Sequence, residues 1–201
     1  MYVHAVAAAL ALSAGAVGAG AAPVTLDGIT FDDELGGVVL RGGSGRGTLD
    51  DPFVLLEDIT DDGPAVLTIR GLRSEFGNRV ATQHTVGFAL TKVVRNLTSR
   101  QWDSFELELR EILTRTSPYE DGLSFAQDAS RDVVMGSDRF THAYKTDEPL
   151  DELVFSGDSI LPGETVTVRF VVTDYSPTYQ FYLVQRRNAP VARHAPAPAL
   201  R

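Results

Sequence analysis

The chain has 201 residues, with 18 Lys plus Arg against 27 Asp plus Glu, 43% hydrophobic residues and no cysteine. That size and balance fit one soluble domain with extensions at its ends, and the lack of cysteine excludes disulfide scaffolds, Cys-ligated zinc and thiol nucleophiles. The formal net charge of −9 argues against nucleic acid and anionic lipid as partners, because proteins that neutralise phosphates concentrate Lys and Arg on the face that displaces counterions.

No side chain before Asp27 is charged, and the small and apolar run Ala5 to Val17 leads to Ala19-Gly20-Ala21. This pattern predicts a signal peptide over residues 1–21, cleaved to leave Ala22 as the first residue. The run is mostly Ala and Gly and ends at Pro23, whereas a spanning helix needs about 20 strongly apolar residues, so no membrane span is expected after processing. The expected address is secreted, extracellular or periplasmic. Sixteen arginines against two lysines, Lys92 and Lys145, with abundant Ala, Gly, Val and Asp, suggest a GC-rich bacterial genome.

Next comes Arg41-Gly42-Gly43-Ser44-Gly45-Arg46-Gly47-Thr48, whose glycines have phosphate-loop spacing. The loop lysine is missing, Asp50-Asp51-Pro52 follows, and Arg46 stands where a nucleophile elbow needs glycine. A flexible turn leading to a strand at Phe53 is the expectation. Asp58-Ile59-Thr60-Asp61-Asp62-Gly63 opens like a calcium loop, but Ile69 occupies the position of the bidentate carboxylate and Pro64 obstructs the loop. An acidic turn before a strand over Ala65 to Arg70 is the reading.

Further short strands are predicted over Phe53 to Leu56, Thr85 to Leu90, Lys92 to Leu97, Leu153 to Phe155 and Gln180 to Val184, with turn residues between them. The clearest strand is Glu164 to Thr173, which places Val166, Val168, Phe170 and Val172 on one face. Trp102 to Leu113 fits two patterns. Trp102, Phe105, Leu109, Ile112 and Leu113 make a helical face, whereas Phe105, Leu107 and Leu109 alternate with Glu106, Glu108 and Arg110 as in a strand. On a strand, Glu106 and Glu108 are expected to face water, which is a simpler account of Glu106, Glu108 and Glu111 than paired-carboxylate hydrolysis. After Gln185, residues 186–201 hold Pro190, Pro196, Pro198 and four arginines and almost nothing to bury, so a disordered Ala/Pro/Arg tail is expected, leaving 22–185 as the domain. Without those four arginines the charge falls from −9 to −13. The fold class expected is all-β, an immunoglobulin-like or jelly-roll antiparallel β-sandwich.

Asn96-Leu97-Thr98 with Trp102, Phe105 and Glu108-Leu109, then Gly122-Leu123-Ser124-Phe125-Ala126, Leu161-Pro162-Gly163-Glu164-Thr165-Val166 and Phe181-Tyr182-Leu183-Val184-Gln185, resemble the exported β-sandwich proteins of bacteria that carry PEP-CTERM sorting signals. The resemblance spans about residues 80–190 and implies a strand at Trp102 to Leu109. The sorting signal's Pro-Glu-Pro is absent from the tail, which reads Asn188-Ala189-Pro190-Val191-Ala192-Arg193-His194.

His84 and His142 are isolated in sequence, and no local nucleophile and base pair emerges, so an enzyme is not the expectation. The expected role is a structural or interaction module at the cell surface or in the extracellular matrix, with polysaccharide or other envelope components as partners. A carbohydrate-binding module is the alternative, stacking Trp102, Tyr119, Tyr144, Tyr175 and Tyr179 on sugar rings; a structural role instead predicts a buried Trp102. A hydrolase with an unrecognised site ranks behind both. No cofactor is expected, with calcium as the one option, held by Asp128, Asp132, Asp147, Glu148 and Asp151 if inter-strand loops converge.

Overall fold

The computed structural model describes residues 22–126, 135–146 and 151–188, all organised around strands. In chain order these are β1 (Val24–Leu26), β2 (Ile29–Asp32), β3 (Val38–Ser44), β4 (Phe53–Ile59), β5 (Ala65–Arg70), β6 (Val86–Asn96), β7 (Trp102–Arg110), β8 (Leu123–Ser124), β9 (Gly136–Ser137), β10 (His142–Thr146), β11 (Glu152–Ile160), β12 (Thr165–Asp174) and β13 (Gln180–Arg187). Two short 3-10 turns, Ser74–Phe76 and Tyr119–Asp121, punctuate them. The first sheet runs β1-β2-β5-β13-β7-β11-β10, and the second runs β3-β4-β6-β12-β8, with β9 also on β12. Packed face to face they make a β-sandwich. No helix among the described residues is long and apolar enough to cross a membrane.

Alternation builds the core. Phe105, Leu107 and Leu109 of β7, Leu67 and Ile69 of β5 and Phe181 and Leu183 of β13 meet Phe53 and Leu55 of β4, Phe88 and Leu90 of β6, and Val166 to Val172 at every second position of β12. Phe31, Phe53 and Phe88 pack at 5.6–6.4 Å between ring centres, separations at which edge-on and tilted ring pairs are favourable. At the start of β7, Trp102 and Phe105 both turn inward and stack at 5.9 Å, next to an irregular stretch of pairing between Ser156 and Ile160.

The strand reading of Trp102 to Leu109 holds and the helical one falls. Four details differ from expectation. The sandwich is mixed: β4 and β6 pair in parallel, because β5 between them crosses to the other sheet and carries the chain back. Thr85 to Leu90 and Lys92 to Leu97 are one strand, since Lys92 is buried with a carboxylate partner and its charge does not end the strand. Arg41 to Ser44 belong to β3 and pair with β4 up to Ser44 and Val54. β13 continues past Gln185 through Arg187, because Arg186 finds Glu106 and Glu108, and Arg187 donates to the carbonyls of Asp61 and Gly63. The predicted signal peptide and residues 189–201 lie outside the described residues.

Candidate functional site

On the outer face of the first sheet, β7 presents Glu106, Glu108 and Arg110. Register sets Glu106 beside Val154 and Arg186, and Glu108 beside Glu152 and Val184. These carboxylates do not face water as expected: Glu106 is 0% and Glu108 1% exposed. Arg186 Nη1 lies 2.7 Å from Glu106 and 2.6 Å from Glu108, and Arg110 grips Glu108 through Nε at 2.6 Å and Nη2 at 2.9 Å. Burial works against the Arg186 charge, but the Glu108 and Glu106 carboxylates outweigh it and hold the guanidinium pKa above its usual value. Carboxylate oxygens of Glu106, Glu108 and Glu152 lie within 4.8 Å of one another, a spacing that suits a metal ion. The arginines already supply positive charge there, so the trio reads as an ion-paired cluster of the sheet.

A second group gathers at the end of the sandwich where β12 turns into β13. Tyr175 and Tyr179 flank that turn and are 66% and 52% exposed. The Arg73 guanidinium sits 4.7 Å from the centre of the Tyr179 ring, in the range of a cation–π contact. Beside it is an open depression of about 350 Å³, lined by Asp27, Gly71, Arg73, Glu75, Phe76 and Arg79. Arg79 is fixed over the Phe76 ring at 3.7 Å and donates to the Arg46 carbonyl at 2.6 Å. The floor depends on Gly71, whose φ is +97° and where a Cβ would come within 2.2 Å of the Gly28 carbonyl oxygen. Gly71→Ala is therefore expected to cost about 2 kcal/mol in urea unfolding, from positive φ together with backbone overlap. A loss below about 0.5 kcal/mol, ordinary for a surface change, would count against this close approach.

Three carboxylates lie at the same end. Asp174, fully buried at the close of β12, accepts the Ser176 amide through Oδ1 at 2.8 Å, while its Oδ2 is buried without a hydrogen-bond partner. Burial, with Glu111 and Asp121 adding repulsion, pushes the Asp174 carboxyl up to about 7. Burial also raises the Glu111 and Asp121 carboxyls, Asp121 adding to the effect on Glu111. A small cavity of about 40 Å³ lies against Glu111, Ser117 and Asp121. Glu111 follows β7 and Asp174 closes β12, 63 residues further along the chain. Only the fold brings them together, and the signal available beforehand was an acid at each strand end.

The residues singled out from sequence separate. Trp102 is 1% exposed and offers no stacking face; its indole N–H donates to Thr98 Oγ1 at 3.3 Å. Tyr144 is 50% exposed but sits on β10, the edge of the first sheet opposite β1. Tyr119 lies in the 3-10 turn before Gly122, whose carbonyl accepts the Tyr175 amide at 3.1 Å. Of the calcium set, Asp128, Asp132, Asp147 and Glu148 lie outside the described residues, and Asp151 is 3% exposed, its carbonyl accepting the Leu109 amide at 3.0 Å. Asp58 is held by Arg95 and Arg41, which lower its carboxyl pKa. His84 is buried, edge-on to Tyr175 at 6.3 Å, and His142 is exposed on β10.

Two packed sheets with an ion-paired outer face and a Tyr/Arg end define the chain as a β-sandwich protein. No protein-family model, no curated protein and no solved structure matches it.

Proposed function

We propose that the chain is an exported, non-enzymatic β-sandwich that serves as an interaction module at the cell surface or in the extracellular matrix. The observation that carries this reading is the end of the sandwich where exposed Tyr175 and Tyr179 adjoin Arg73 and an open depression. Exposed tyrosines beside an arginine offer amphipathic contact area, the make-up of binding surfaces. The uncharged apolar start and the likeness to exported β-sandwich proteins support the address. Fractionation of cells producing the full chain should place it in the envelope or matrix with Ala22 at or near its N-terminus, and Tyr175→Ala with Tyr179→Ala should move it to the soluble wash. Cytosolic protein that retains Met1 would overturn the proposal.

Carbohydrate binding is the second reading, favoured by the Arg73 guanidinium over the Tyr179 ring beside Asp27 and Glu75. A ring face stacks on the apolar side of a sugar while charged groups take its hydroxyls. Electrophoresis through gels containing soluble polysaccharides should show retardation by at least one, and Tyr179→Ala should weaken it about tenfold, equivalent to about 1.4 kcal/mol. Unretarded wild-type protein in every gel would remove this reading and leave the first standing.

A further inference from the structure

At one level of the sandwich interior the inward rows of three strands carry charged and amide groups in place of apolar ones. Lys92 of β6 is 0% exposed, Glu57 of β4 2% and Gln185 of β13 0%. They occupy the same inward rows as Leu90, Leu55 and Leu183, so the three side chains converge from two different sheets. Lys92 Nζ lies 3.0 Å from Glu57 Oε2, and Gln185 Nε2 donates to the same oxygen at 3.2 Å. Glu57 Oε1 and Gln185 Oε1 are buried with no hydrogen-bond partner. The Phe105 ring centre is 5.8 Å from Nζ, and Arg187 lies over Trp102 at 5.7 Å, which closes this level with aromatic surface.

A buried amine, a buried carboxamide and a carboxylate touching both are the components of an amide-exchange reaction. From this geometry we propose that Lys92 and Gln185 join in an intramolecular isopeptide bond, with Glu57 carrying the proton, so that β6 of the second sheet and β13 of the first become covalently linked.

The step balances without a co-reactant. Lys92 passes a proton to Glu57, and the free Nζ lone pair attacks Gln185 Cδ to form the new C–N bond. The carbonyl electrons move onto Oε1 and return as the bond from Cδ to Nε2 breaks. Nε2 leaves as ammonia, taking the proton that Glu57 held, and the second proton lost from Nζ makes it ammonium. A half-turn of the carboxamide places the unpartnered Oε1 against Glu57, where the protonated carboxyl polarises the carbonyl for attack. Burial lowers the Lys92 pKa, and nearby Arg187 lowers it further, against the pull of Glu57; both favour the free amine. The residue type fits the chemistry. This chain uses arginine for all but two of its 18 basic side chains, and arginine cannot lose its proton to become a nucleophile. One of the two lysines is the one fully enclosed beside an amide. Both reacting groups are held against the same Glu57 oxygen in a packed interior, so that only the turn of the carboxamide separates them from attack, and such positioning raises effective molarity.

The test is mass spectrometry of the full-length purified chain under denaturing conditions. Once the N-terminus actually present is allowed for, the intact mass is expected to be lower than the sequence mass by one ammonia. Fragmentation of a digest should give a branched species joining the peptide containing Lys92 to the one containing Gln185. Glu57→Gln should restore the unlinked mass and two linear peptides. The wild-type measurement does not depend on any variant folding. Linear Lys92 and Gln185 peptides from soluble wild-type protein would overturn the proposal, as would an intact branched product in Glu57→Gln.

Discussion

Replacing Arg186 by methionine should lower the stability of the domain by about 3–5 kcal/mol at neutral pH, the cost of abandoning a buried charge by deleting its partner. Arg186 reaches two carboxylates from β7 at once, and Glu106 and Glu108 are 0% and 1% exposed. Arg110 serves Glu108 and stays in the variant, so Glu106 is the group most harmed. Methionine keeps much of the aliphatic volume, which separates lost charge from lost packing. Urea unfolding should show a lower midpoint with an unchanged slope. A double variant, Glu106→Leu with Arg186→Met, should recover most of the loss, because Glu108 keeps Arg110 and a buried pair replaced by apolar groups is often neutral or stabilising. A single-variant loss under about 1 kcal/mol, the value of an exposed ion pair, would mean that this cluster is solvated in solution.

The same cluster marks where reading the sequence stopped working. Strict alternation made β5 and β12 legible, and it put Phe105, Leu107 and Leu109 on one face of β7. Alternation assigns a residue to a face; it does not say what covers that face. Glu106 and Glu108 were read as wet because acids on the outside of a sheet usually are. Here Arg186 comes from β13, 80 residues away from Glu106, and Glu152 comes from β11. For the same reason Arg186 and Arg187 read as the start of a tail: local composition of Pro, Ala and Arg carries no trace of partners on another strand. The break expected between Leu90 and Lys92 does not occur, because the carboxylate that neutralises Lys92 lies on β4, which reaches it only through the parallel pairing that follows the crossing of β5. Of the stacking candidates, Tyr175 and Tyr179 are exposed where β12 turns into β13, while Trp102 is buried, and a tryptophan near a strand start carries no local sign of that depth.

Stability should rise as pH falls through neutrality by an amount traceable to Asp174. Its carboxyl has an ordinary value of 3.8 and is pushed up to about 7 in the fold, chiefly by burial. A raised carboxyl means that the folded state binds the proton more tightly than the unfolded chain does. The stabilising contribution is therefore fully present below pH 3.8 and is lost as pH rises through about 7. The span corresponds to roughly 4 kcal/mol, more than half of which appears between pH 8 and pH 5. Other carboxylates work in the opposite sense: Arg95 and Arg70 lower the Asp58 and Glu34 carboxyls, whose contributions fade in acid. The measurement is consequently a difference. Asp174→Asn keeps the Oδ1 that accepts the Ser176 amide and imitates the protonated acid at every pH. In buffers with chelator it should be more stable than wild type by about 4 kcal/mol above pH 8, and the advantage should shrink through neutrality and vanish near pH 4. A difference that does not change with pH would remove Asp174 as the source. A midpoint of the change near the ordinary carboxylate value would show that the Asp174 carboxyl is solvated in the folded state rather than buried.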